Sequence, residues 1–209
     1  MGEGREVENQ RVYMDIKTFW ELIDQTRQAS RDALIADEFI NDEVDEMHID
    51  LLVKSLSALS EEDIFAWERI FDDFMDQAYI EELWEVAYII NCGCGDDGFT
   101  DFRAWVISQG EDVYRNAIAD PESLATVINV KRGEQAFSGL WSVVISAYES
   151  KTGKGFDTLP VKSRERPQLK GVRTQAENET EWENKIIKRY PKIAAKFWKR
   201  CSDPSVFFA

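Results

Sequence analysis

The sequence predicts a mainly α protein: a compact multi-helix domain followed by a C-terminal helical extension. Three observations carry this expectation. Apolar residues recur at helical spacing through most of the chain, and no stretch alternates apolar and polar residues as a half-buried strand does. Glycine, proline and aspartate punctuate the periodic runs where helices should start and stop. An apolar share of 44%, with 12% aromatic, suffices to build a core in a chain of 209 residues.

Residues 1–13 carry no periodic pattern and are expected to form a flexible N-terminal segment. An acidic helical domain is then expected over 14–153. Its first helix lies in "MDIKTFWELIDQ", where Ile16, Phe19, Trp20 and Ile23 make one apolar stripe. "DALIADEFINDE" reads as a continuation or a loop. "VDEMHIDLLVKSLSAL" repeats the stripe with Val44, Met47, Leu51, Leu52, Leu56 and Leu59, and its His48 borders the apolar face. In "LSEEDIFAWERIFDDFMDQAY", Ser60 and Asp63 have the form of a capping box. Ile64, Trp67, Phe71, Phe74, Met75 and Ala78 then line one broad face. "IEELWEVAYIIN" carries Leu83, Trp84, Ala87 and Tyr88 on one side, and "FTDFRAWVISQG" carries Phe99, Phe102, Trp105 and Val106 up to a stop at Gly110. "EDVYRNAIADPESLATVI" reads as two short helices, the second capped by Asp120 with Pro121 at its first position. "GEQAFSGLWSVVISAYESKTG" ends the domain with a helix that stops at Gly153.

Composition changes over 154–176, where prolines, glycines and basic residues predict a linker. Residues 177–209 contain a last amphipathic helix interrupted by Pro191. Its Trp182, Ile186, Ile187, Ile193 and Phe197 would dock it on the body.

Charge divides the chain in two. Up to Val130, 31 acidic residues face 9 basic ones, a balance of −22. From Lys131 onward, 9 acidic residues face 16 basic ones, a balance of +7, and the two give the overall −15. An acidic body repels nucleic-acid phosphates and attracts basic surfaces. The basic C-terminal portion can bind something acidic or fold back on the body. No stretch is long and apolar enough for a membrane span, and the N-terminus lacks the form of a secretory signal. The odd number of cysteines argues against a disulfide framework. The expected setting is the cytoplasm.

The stretch "NCGCGDDGF" raises the question of a metal site. Structural zinc usually takes cysteines separated by about two to four residues, with four ligands in all. Cys92 and Cys94 are separated by one, so no metal and no cofactor is expected. An elbow between two helices explains more of the residues. Asn91 and Gly93 tolerate the left-handed conformation that ends a helix, and Asp96 or Asp97 would cap the next one. The second aspartate and the nearby Arg103 exceed what a turn needs. Trp84, Tyr88, Asp96, Asp97, Arg103 and Trp105 are therefore the candidates for a ligand-binding pocket. No serine or cysteine nucleophile is tied to His48 by any motif, and adjacent acids are expected by composition in so acidic a chain. No catalytic residue is assigned.

Several pieces taken together resemble a bacterial family known as domain of unknown function 4240. They are "FWELI" at Phe19–Ile23, "LS" at Leu59–Ser60, "LWEVAYII" at Leu83–Ile90 and, most specifically, "GCGDDGFTDFRAWVISQG" at Gly93–Gly110, followed by "DPESLA". The resemblance spans about Met14 to Ile128, and "AYESKTG" extends it. It implies a compact, mainly helical domain and brings no activity. The family usually has a serine where this chain has Gly95, which argues against hydroxyl chemistry there. Cys92 lies outside the pattern.

The functional expectation is a protein-interaction module, immunity-like or antitoxin-like, whose acidic surface covers a basic protein partner. Glu61, Glu62, Asp72 and Asp73 are its expected partner-binding residues. The alternative is a small-ligand binder or enzyme with a pocket beside Asp96, Asp97 and Arg103. Nucleic-acid binding through Lys162 to Arg173 is opposed by the acidic body.

Overall fold

Side-chain caps set where the first helices begin. The Asp15 carboxylate accepts a hydrogen bond from the Thr18 amide at 2.7 Å and opens α1 (Ile16–Leu34). The Ser60 hydroxyl oxygen accepts from the Asp63 amide at 3.1 Å and opens α3 (Glu61–Gln77). The reciprocal arm of the expected capping box goes elsewhere. The buried Asp63 carboxylate accepts from the Ser60 hydroxyl at 2.6 Å and from the Met14 amide at 3.1 Å. Aspartate is a methylene shorter than the usual Glu, and its second acceptor ties the start of α1 to α3 instead.

The computed structural model describes residues 14–34, 41–127, 139–158 and 178–201. The expected N-terminal segment 1–13, most of the basic linker including Lys162–Arg173, and the tail beyond 201 lie outside the described residues. The described residues form α-helices and short 3-10 turns, with no β-strand among them. Helix α2 (Asn41–Ser57) packs on α1, α7 (Val143–Thr152) lies against α2 and α3, and α5 (Asp96–Ser108) runs beside α3. Helix α6 (Glu111–Ala119) follows α5. The second helix expected from "DPESLATVI" is a 3-10 turn, Pro121–Thr126, whose first amides are met by Asp120 accepting from the Glu122 amide at 3.1 Å. A second such turn, Gly139–Ser142, leads into α7 and touches α5. On the opposite side, α4 (Glu81–Asn91) carries the pair α8 (Glu179–Arg189) and α9 (Pro191–Cys201). Pro191 opens α9, so it breaks the C-terminal segment into two helices.

The aromatic stripes of α1 and α3 meet at the centre. Phe19 lies 5.1 Å from Trp67, Trp20 lies 4.7 Å from Phe74, and Tyr114 of α6 closes over both Trp20 and Phe74. The Tyr114 hydroxyl donates to the Phe74 carbonyl at 2.7 Å, adding to the bond this carbonyl accepts from the Ala78 amide at 3.0 Å. Each such side chain, once buried, contributes about 1.5–3 kcal/mol of hydrophobic stabilisation. Ile16 departs from its expected stripe and is exposed. Gly110 is required between α5 and α6: its φ is +101°, and a Cβ would strike the Asp24 carboxylate.

One expectation from the cysteine count is corrected. Cys92 is disulfide-bonded, whereas Cys94 carries a free thiol. An odd count guarantees only that one cysteine is left over. No helix among the described residues is long and apolar enough to cross a membrane.

Candidate functional site

The segment Asn91–Phe99 folds as an elbow, and its chemistry is conformational. Helix α4 ends on Cys92, a non-glycine residue in the left-handed region at φ 56°, and Gly93 follows at φ +121°. The amides of both reach back to the Tyr88 carbonyl, the pattern of a helix-terminating turn. Trp84 holds the elbow against its own helix: its indole nitrogen donates to the Cys94 carbonyl at 2.8 Å, and its ring stacks on Phe99 at 4.8 Å. Burial pushes the Cys94 thiol up to about 12. A thiol that stays protonated is a poor nucleophile at neutral pH. Among the described residues no three His, Cys, Asp or Glu side chains are placed to hold a metal ion.

Gly95 is the N-cap of α5, with an extended backbone and no side chain to cap with. Asp96 and Asp97 stand in the first turn, inside the helix, so neither serves as the cap. Their exposed carboxylates face the positive end of the helix dipole. They also reach the mouth of a cleft of about 530 Å³ between α3, α5 and the Gly139 turn.

Five carboxylates line this cleft: Glu68, Asp72 and Asp76 from α3, and Asp96 and Asp97 from α5. The three on α3 are spaced four residues apart, which stacks them along one face of the helix. Like charges at that spacing destabilise a helix by about 0.2–0.5 kcal/mol per pair. Burial, and then the neighbouring Asp72, raises the Glu68 carboxyl above its ordinary value. Asp101, one turn beyond Asp97, is raised by burial and by Asp97, while a hydrogen bond with the Trp141 side chain acts the other way. Phe71, Met75 and Tyr79 give the cleft an apolar and aromatic lining, and Trp141 stands at its edge. Trp141 is 55% exposed, one of only two large apolar side chains that the described residues expose. Carboxylates beside an accessible indole form a surface suited to an organic cation, which gains from both Coulomb attraction and the ring face.

Arg103 lines the cleft without offering its charge to solvent. It is buried. Its Nη1 donates to the Met75 carbonyl at 2.8 Å, its Nε to Phe99 O at 3.3 Å and its Nη2 to the Thr100 hydroxyl at 3.2 Å. The guanidinium also lies 4.7 Å from the Tyr79 ring and 5.1 Å from that of Phe99. Burial pulls it below its ordinary value. Arg103 thus caps the end of α3 and fixes α5 against it, a positioning role.

The candidates read from sequence are divided by the fold. Asp96, Asp97 and Arg103 come together at the cleft, joined by Asp72. Trp84 serves the elbow, Tyr88 faces α8, and Trp105 is buried beside Phe102. Glu61 and Glu62 sit in the first turn of α3, and Asp73 is exposed outside the cleft lining. Sequence reasoning missed Glu68, Asp76, Tyr79 and Trp141. The spacing Glu68–Asp72–Asp76 was a usable signal, since it opposes helix stability. Nothing in "GLWSVV" marks Trp141 as exposed.

No curated protein and no solved structure matches this chain. A family model described as a protein of unknown function, DUF4240, matches residues 14–150, a span that includes every residue lining the cleft and excludes α8 and α9. The chain belongs to the DUF4240 family.

Proposed function

We propose that this protein is a cytoplasmic interaction module that seats a basic segment of a protein partner in the α3–α5 cleft. The observation that carries this reading is the stacking of Glu68, Asp72 and Asp76 opposite Asp96 and Asp97, around an aromatic lining and beside the exposed Trp141. A lysine or arginine side chain entering the cleft would meet carboxylates on two walls and an indole at the rim. The acidic body as a whole would steer such a partner and speed its arrival, while disfavouring nucleic acid. An immunity-like or antitoxin-like role, covering a basic toxin surface, is the concrete form of this reading.

The test measures binding of a nona-arginine peptide at increasing salt, for the wild type and for E68Q/D72N/D76N. The proposal expects affinity to fall at least tenfold in the variant and steeply with salt in the wild type. Unchanged affinity in the variant, with loss on neutralising Glu61 and Glu62 instead, would move the site to the start of α3.

A second reading rests on size. About 530 Å³ lies within the range of roughly 300–1,000 Å³ typical of small-ligand sites. The same walls would then take a free organic cation such as a polyamine, and a thermal shift with spermidine that vanishes in W141A would favour it.

A further inference from the structure

The pair α8–α9 lies outside the family domain yet covers one of its faces, and the contacts are those of recognition. Trp182 meets Tyr88 edge-on at 4.7 Å, and the Tyr88 hydroxyl donates to Glu183 at 2.9 Å. Arg189 donates to Glu85 at 2.9 Å and to Glu82 at 3.4 Å, while the Tyr190 hydroxyl donates to the same Glu85 oxygen at 3.0 Å. On the Pro121 turn, Glu122 accepts from the Lys192 amide at 2.6 Å, and the Ala125 carbonyl accepts from the Lys196 ammonium at 3.1 Å. Tryptophan, tyrosine and arginine dominate the energetics of interfaces, and here they anchor a basic helical pair on an acidic face. Glu85 is only 2% exposed, and its partners from outside the domain are supplied by the pair. The joint is not filled. A space of about 590 Å³ remains between Glu82, the Ile118–Glu122 segment and the Arg189–Tyr190 corner.

We propose that the face formed by α4 and the Pro121 turn is a recognition surface for a basic amphipathic helix, and that α8–α9 is its built-in occupant, displaceable by such a helix from a protein partner once the disulfide at Cys92 is reduced. Charge complementarity selects the occupant: Glu82, Glu85 and Glu122 face an arginine and lysines. The helix must also bring apolar residues at the spacing of Trp182 and Ile186, both buried in this structure. This surface is separate from the α3–α5 cleft and shares no lining residue with it.

The experiment titrates a fluorescent peptide of residues 178–201 into the full-length chain, with a phosphine reductant present to open the disulfide at Cys92. Tethering keeps the native pair at high effective concentration, so the wild type should bind the peptide weakly. R189E loosens the tethered pair but leaves the face intact. The expected result is at least tenfold tighter binding to R189E, lost again on adding E85Q and unchanged on adding W141A. Equal binding to wild type and R189E would overturn the proposal, as would dependence on Trp141, which would place the peptide in the cleft. A second form keeps the test decisive if R189E misfolds. The full chain receives a protease site within 159–177 and, after cleavage and with the same reductant present, a hundredfold excess of peptide. Exchange seen by native mass spectrometry supports the proposal. A pair that leaves only when the domain unfolds is a fixed part of the fold, and the proposal fails.

Discussion

Arg103 and Arg189 meet the acidic body of this protein in opposite ways. On the α3–α5 side the arginine is buried and spends its donors on two backbone carbonyls and a hydroxyl, while five carboxylates line the cleft beside it. On the α4 side the carboxylate of Glu85 is buried, and the arginine arrives from outside the family domain to meet it. The first arrangement helps build a cleft whose walls carry acidic side chains. The second closes a face by supplying the cation within the chain. An acidic composition therefore says nothing by itself about where a basic partner binds; the placement of the few arginines does.

The largest expected effect comes from Arg103. R103A leaves the Met75 carbonyl buried without its charged donor and removes the contact with Tyr79 and Phe99. The expected loss is about 3 kcal/mol, read from the urea midpoint at constant m-value. A loss below about 1 kcal/mol would show that Arg103 does not hold α3 and α5 together.

A smaller effect is expected at the other arginine, whose side chain is 45% exposed and partly screened. A double-mutant cycle with E85A and R189A should give a coupling of about 1–2 kcal/mol. Additive effects would mean that the Arg189–Glu85 pair does not help to hold α8–α9.

His48 sharpens the comparison, because it is buried with no counter-charge. Arg27 and Arg31 approach it from α1, and Asp45 in its own helix is already paired with Arg27 at 3.1 Å. The Ile23 carbonyl faces the ring, but neither ring nitrogen has a partner in hydrogen-bond geometry. Burial first, and then Arg27, lowers its value to about 3. The unfolded chain therefore takes up the proton first as pH falls. The His48 contribution to stability is complete above the ordinary histidine value near 6.5 and is lost as pH falls from there toward about 3. Carboxyls with raised values, the half-buried Glu68 and the buried Glu85 among them, work in the opposite direction, gaining stability as pH falls through their range. The difference between wild type and H48Q isolates the histidine. It should change by about 1 kcal/mol per pH unit between pH 6 and 4. A flat difference would contradict the buried neutral ring.

The smallest expected effect is a gain. Gly95 occupies the N-cap of α5 with extended backbone and open space around its Cβ position. G95S should raise stability by a few tenths of a kcal/mol by accepting a bond from an amide of the first turn. A decrease would mean that glycine is needed for the elbow.

What was legible in the sequence follows from how local each feature is. The α3 stripe from Ile64 to Ala78 is buried as its spacing predicts, because helical period is a property of neighbouring residues. Asp120 and Pro121 mark a start for the same reason, although the turn they open is too short to become an α-helix. The cleft was only partly legible. Asp96, Asp97 and Arg103 were flagged by their excess over what a turn requires. Trp84 and Tyr88 were expected to line the same concave site, yet the packing of α8 and Phe99 turns both to other tasks. Trp141 joins the cleft from about forty residues away, and only the docking of α7 and its leading turn on α5 brings it there.

The most direct measurement is amide hydrogen exchange of the full chain with and without nona-arginine peptide. The account predicts slowed exchange over the second half of α3, from Glu68 to Tyr79, and over the start of α5, from Asp96 to Arg103, with α4 unchanged. Protection confined to the first turn of α3, or to α4 and the Pro121 turn, would contradict a cationic site in the α3–α5 cleft.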